Sequence, residues 1–193
     1  MSAEIGRPPQ KIHCIIEIER HSREKYEYDP ANQSLFLDRI LPYPYFYPYA
    51  YGFVPYTRAD DGDELDVLYI TEKHIPNYND LEAVWDGYIV GALLMEDEKG
   101  RDEKLLVVPF DEYLSFSTKQ DTIEEDIGWF FTHYKTKCGE EKWSKIHGFV
   151  GEREAIDLYH KYREIPLSSS PKDDNPLFSS SPYFFNRNKL YSA

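Results

Sequence analysis

The stretch Asp60-Asp61-Gly62-Asp63-Glu64-Leu65-Asp66-Val67 places five acidic residues within seven positions and runs straight into Leu68-Tyr69-Ile70. A solvated acidic loop fades into polar residues, whereas this one enters a run patterned like a buried strand. Carboxylates at a strand mouth are hard oxygen ligands on a semi-rigid frame, suited to Mg²⁺ or Mn²⁺. Gly62 permits the tight turn that lets neighbouring carboxylates converge. Alone, the stretch reads equally well as an exposed acidic turn. A second cluster, Glu96-Asp97-Glu98 with Asp102-Glu103, tips the reading toward a metal site.

The candidate acids are Glu17, Glu27, Asp61, Asp63, Asp66, Asp97 and Asp102, and the candidate cations are Lys25, Arg39, Lys104 and Lys135. So many carboxylates cannot gather as anions without compensation, because each raises its neighbour's pKa. Hard metal ions relieve that repulsion, polarise a phosphoryl group and acidify water. The cationic side chains then hold substrate oxygens, Arg in a bidentate grip. The combination points to phosphoryl hydrolysis, with a Ca²⁺-stabilised structural domain as the alternative. The six histidines are scattered and form no H-E-x-x-H motif, which argues against zinc chemistry. Neither a P-loop nor a G-x-S-x-G elbow is present.

At 193 residues the chain has the length of one domain with a substantial core, and 17 Tyr with 11 Phe make that core aromatic. A formal net charge of −13 argues against a nucleic-acid partner. A small anionic substrate stays compatible, since bound divalent metals reverse the field locally. Met1 to Gln10 lacks a signal-peptide core and no apolar run reaches membrane length, so the expectation is no membrane partner and a cytoplasmic location. Cys14 and Cys138 make neither a metal motif nor a disulfide framework.

These residues need a frame. Alternation predicts strands over Ile12–Glu19, Lys25–Tyr28, Ser34–Arg39 and Leu105–Phe110, a final strand over Lys142–Val150, and one bent strand or two over Ala83–Met95. In the second of these, Lys25 and Glu27 share one face and Tyr26 and Tyr28 the other. Leu41–Tyr56, dense in proline and tyrosine, reads as a rigid irregular segment packed on the sheet. Short non-repeating strands suggest a small closed or partly closed barrel. A helix is expected from Thr122, capped reciprocally by Glu125, to Lys137 before Gly139, and a second over about Arg153–Tyr162. Residues 1–165 are expected to form one domain, followed by a linker-like tail over 166–193 that docks in part through Phe184, Phe185 and Tyr191.

The chain resembles the soluble family I inorganic pyrophosphatases over roughly residues 12–163. Asp61-Gly62-Asp63-Glu64-Leu65-Asp66-Val67 is similar to the family signature D-G-D-P-x-D-V. Glu17, Lys25-Tyr26-Glu27, Asp38-Arg39, Tyr47-Pro48 with Tyr51-Gly52-Phe53-Val54-Pro55, Asp97 to Lys104, and Phe130 to Lys135 before Lys142-Trp143 follow in the family's order. The resemblance implies a mostly β fold, a five-stranded OB-like barrel with two helices of the C-terminal half packed outside. It implies hydrolysis of inorganic pyrophosphate with Mg²⁺, Mn²⁺ being a possible substitute. In that frame Glu17, Glu27, Asp61, Asp66, Asp97 and Asp102 serve the metals and Asp63 is the general base. Lys25, Arg39, Tyr51, Lys104, Tyr134 and Lys135 contact the phosphates.

The chain departs from the family pattern at Glu64, in place of the signature Pro, at Ala50, in place of an Asn, and at Tyr88, in place of an Arg. The alternatives are a metal-dependent hydrolase of other phosphate esters or nucleotides, and a non-catalytic divalent-cation-binding barrel. Aromatic residues beyond the needs of one core, among them Trp129 and Trp143, point to self-association. The resemblance favours a hexamer, with His133 near the subunit contact, over a dimer.

Overall fold

The computed structural model describes residues 8–29, 31–78, 84–135 and 142–163. Nine strands are found there: β1 Lys11–Ile18, β2 Glu24–Asp29, β3 Ser34–Ile40, β4 Ala50–Val54, β5 Leu65–Tyr69, β6 Val84–Asp97, β7 Gly100–Arg101, β8 Lys104–Val108 and β9 Ser144–Gly151. A 3-10 helix, Phe110–Thr118, precedes two α-helices, α1 Gln120–His133 and α2 Glu152–Tyr162. The expected Gly139 stop and the tail lie outside the described residues. No helix among the described residues is long and apolar enough to cross a membrane.

The expectation of a five-stranded OB-like barrel with two helices is corrected. The main sheet is mixed and has seven strands, β2 and β3 form a separate hairpin sheet, and three helices are present among the described residues. The hydrogen bonds do run in a ring, from β1 to β4, β5, β8, β6 and back to β1. The reason for the larger sheet is the length of β6. It is a single bent strand whose first part pairs with β1, its middle with β8, and its last part with β9 and β7. A register shift between Ile89 and Gly91 accommodates the bend.

Two further expectations are revised. The Pro-rich segment contains β4, because Pro48 and Pro55 bracket a proline-free stretch whose five strand residues are all buried and pair with β5, Tyr51 to Phe53 pairing with β1 as well. The Thr122 cap does not form: α1 begins at Gln120, continuing from the 3-10 helix through Lys119 with no side-chain cap. Ile123, Ile127, Phe130 and Phe131, at helical spacing, form its buried side. They join Leu68, Leu93 and Leu106 in one apolar cluster. Ala155, Ile156 and Tyr162 of α2 join Val67, Leu105 and Val107 in another. On β2, Tyr28 packs on Phe53 and Tyr78, which turns Lys25 and Glu27 to the other face.

Candidate active site

Every residue singled out above for the site lines one cavity of about 460 Å³: Glu17, Lys25, Glu27, Arg39, Tyr51, Asp61, Asp63, Asp66, Asp97, Asp102, Lys104, Tyr134 and Lys135. The floor is set by strand register. β5 and β8 run parallel with Asp66 opposite Lys104, so the ammonium meets the carboxylate at 2.7 Å. Asp102 lies two residues before Lys104 and accepts a second hydrogen bond at 2.8 Å. Lys104 is 1% exposed, and the faces of Tyr51 and Phe131 complete its surroundings at 5.5 and 5.4 Å. Burial acts against its charge, but Asp66 and Asp102 outweigh it and raise the pKa. Asp102 is pushed up to about 6, chiefly by burial, with the Lys104 charge opposing and the Asp66 and Asp97 charges adding.

On one wall, Asp97 ends β6, and Lys135, beyond the end of α1, donates to it at 2.7 Å and to Glu98 at 3.0 Å. Lys142 reaches the other Glu98 oxygen at 2.9 Å. Burial would raise the Glu98 carboxyl, yet Lys142 and Lys135 hold it down at about 2. On the opposite wall, the β2–β3 register sets Lys25 against Arg39. Lys25 pairs with Glu27 and Asp38, and Arg39 Nε lies 3.0 Å from Asp38. Glu17, on β1, accepts the Tyr28 N–H at 2.7 Å, but burial still pushes its carboxyl up to about 8.

The acidic turn is built by its own backbone. Gly62 takes φ +93°, Ala59 N–H donates to Asp63 O at 2.8 Å, and Asp63 N–H to Asp61 Oδ1 at 3.1 Å. The Asp63 side chain is exposed at 71%, with Lys99 Nζ 3.6 Å away. Above the floor, Tyr47 packs on Tyr51 and Phe130, and Tyr134 stacks on Phe130. Burial raises the pKa of Tyr47, Tyr51 and Tyr134 well above the ordinary phenol value, so these hydroxyls remain protonated donors.

Sequence reasoning leaves out Tyr47, Glu98, Lys99, Glu103 and Lys142, which also line the cavity. Two signals were available: Glu98 and Glu103 sit in the second acidic cluster, and Tyr47 and Lys142 each begin a matched pair in the resemblance. Among the departures, Glu64 lines the cavity, Ala50 is buried in β4, and Tyr88 packs on Phe110 and Tyr113.

Among the described residues, no three of these groups stand close enough to enclose an ion. Lysine ammoniums take the carboxylate oxygens. The donor set nonetheless fits a hard divalent cation. The lining carboxylates outnumber the cationic side chains ten to six, and burial drives Asp102 and Glu17 toward protonation, which such a cation reverses.

The model of the family described as inorganic pyrophosphatase matches residues 14–165. An inorganic pyrophosphatase of Campylobacter jejuni is 37% identical over 165 residues, 82% of this chain and 93% of the relative. One of Thermus thermophilus is 39% identical over 158 residues, 78% and 87% of the two chains. The solved inorganic pyrophosphatase of Helicobacter pylori superposes with a TM-score of 0.71 at 33% identity, over 84% of this chain and 96% of that one. With this match over most of its length, the chain belongs to the family I inorganic pyrophosphatases.

Proposed function

We propose that the protein hydrolyses inorganic pyrophosphate to two orthophosphates with Mg²⁺, Mn²⁺ being a possible substitute. The observation that carries this reading is one cavity, in a chain of this family, lined by ten carboxylates and six cationic side chains. Asp61, Asp66, Asp97 and Asp102 would hold the ions, Glu27 would serve a further one, and Glu17 would act through waters. Bound there, the ions supply Lewis-acid polarisation of phosphoryl oxygens and a lowered pKa for water.

The protein's own groups do the rest. Asp63, exposed at the rim, accepts the proton of the attacking water. Lys25, Arg39, Lys104 and Lys135 line the same cavity and supply the N–H donors that bind phosphate oxygens. Tyr51 and Tyr134, held protonated by burial, donate to the same oxygens. Phosphate release with Mg²⁺ from pyrophosphate, ATP and an aryl phosphate tests the reading. A large preference for pyrophosphate is expected, and comparable turnover of the organic substrates overturns it.

Self-association belongs to the same proposal, with a hexamer preferred over a dimer. Trp129 is 54% exposed, packs against Tyr45 and stacks on His133. An exposed aromatic group of this kind suits a subunit contact. Light scattering at pH 8 and pH 5.5 tests it, and a monomer mass at both overturns it.

A further inference from the structure

The last residues of α2 meet the acidic loop far from them in sequence. Tyr162 is 4% exposed, and its hydroxyl proton is shared between Asp60 Oδ2 at 2.9 Å and Glu103 Oε2 at 3.2 Å. Lys161 Nζ donates to the same hydroxyl at 2.8 Å and to Asp60 at 3.1 Å. Glu103 is 6% exposed, so this hydroxyl reaches a carboxylate almost withdrawn from water. The main chain runs alongside: Arg58 N–H donates to Tyr162 O at 2.8 Å, and Thr57 bridges Arg163.

The two acceptors matter for what stands beside them. Asp60 precedes Asp61 and opens the turn that carries Asp63. Glu103 lies between Asp102 and Lys104. One hydroxyl therefore ties together the two segments that bring Asp61 and Asp102 to the cavity, and fastens both to a helix packed on the sheet. Asp61 sits in a turn whose glycine has open space around it, so the external tie limits how far that turn can swing. The Tyr162 ring is core, but its hydroxyl has no packing role.

We propose that Tyr162 is a positioning residue: its hydroxyl, through Asp60 and Glu103, holds the Asp61 loop in register with the Asp102 segment and so raises the affinity for Mg²⁺. The inference rests on the metal reading of Asp61 and Asp102 given above. Tyr162→Phe removes the hydroxyl and keeps the ring. Asp60→Ala removes the exposed acceptor and keeps the fold testable if the first variant folds poorly.

Mg²⁺ titration calorimetry of the metal-stripped full chain is the primary measurement. Each variant is expected to bind Mg²⁺ about tenfold more weakly, the scale of one hydrogen bond to a charged group. The double variant is expected to lose less than the product of the two single losses, because both variants break the Tyr162–Asp60 bond. The Mg²⁺ midpoint of pyrophosphate hydrolysis shifts with it, while the rate at saturating Mg²⁺ returns toward that of the unaltered protein. Unchanged Mg²⁺ binding in the variants, with a lowered melting temperature in EDTA, overturns the inference and leaves the tie purely structural. Losses that multiply in the double variant overturn it as well. If the unaltered protein neither binds Mg²⁺ nor cleaves pyrophosphate, the functional reading itself fails, and this inference with it.

Discussion

Lys104 and Asp102, two residues apart, form a 2.8 Å ion pair at the bottom of the cavity, with the lysine side chain 2% exposed. Asp66 closes the other side at 2.7 Å. In the metal-free protein this ammonium is the counter-ion of the carboxylates assigned above to the metals. Lys104→Met leaves Asp66 and Asp102 facing each other with that charge gone. Losing one partner of a buried pair costs about 3–5 kcal/mol. Urea unfolding in EDTA is expected to show a loss of that size, and Mg²⁺ is expected to restore part of it. An unchanged unfolding midpoint would count against the compensation argument.

Asp63 and Asp66 share a motif but not an environment. Asp63 is exposed at the rim, whereas Asp66 is paired with a buried lysine. Asp63→Asn should lower the rate by about 10²–10⁴-fold, the scale for a positioned acid–base group, with Mg²⁺ binding largely retained. Asp66→Ala should weaken Mg²⁺ binding itself. Rate against Mg²⁺ concentration separates the two, and full rescue of Asp63→Asn by excess Mg²⁺ would remove Asp63 from the base role.

Gly52 of β4 stands opposite Ile16 of β1. A Cβ there would stand 1.8 Å from Ile15 O, which is backbone and cannot rotate away. Gly52→Ala must push the strands apart in a fully buried stretch. Overpacking of this kind costs about 1–3 kcal/mol or more. The melting temperature reports it, and a variant melting like the unaltered protein would show that the strand gap is softer than the geometry indicates.

Asp86 offers a pH test away from the cavity. It lies opposite His13 in the β1–β6 ladder, where His13 and Lys11 pair with its carboxylate. Burial would raise its pKa, but those hydrogen bonds hold it down at about 2. An unfolded aspartate titrates near 3.9. The pairing therefore stabilises the fold above about pH 4 and is lost as pH falls through about 2. The stability difference between the unaltered protein and Asp86→Asn should be full at pH 5, where His13 carries its proton, and visibly smaller at pH 3. A gap that stays constant, measured by urea unfolding at both pH values, contradicts the pairing.

Local pattern carried much of this protein. The alternation in β1 and β2 assigned Glu17, Lys25 and Glu27 to faces, and the period of Ile123, Ile127, Phe130 and Phe131 gave α1 its buried side. The acidic turn was legible because Gly62 and its carboxylates are neighbours in the chain. Such signals survive in sequence because side-chain direction repeats every 2 or 3.6 residues whatever the partner. The span of β6 across its partners and the strand in the proline-rich segment were not legible, since tertiary pairing decides both. The same holds for the contacts that make the site. Asp66 faces Lys104 because two strands 38 residues apart run parallel in one register, and Tyr162 meets Asp60 across 102 residues. No local period encodes register between distant segments. It is set by which distant strands pair in the sheet and where α2 packs.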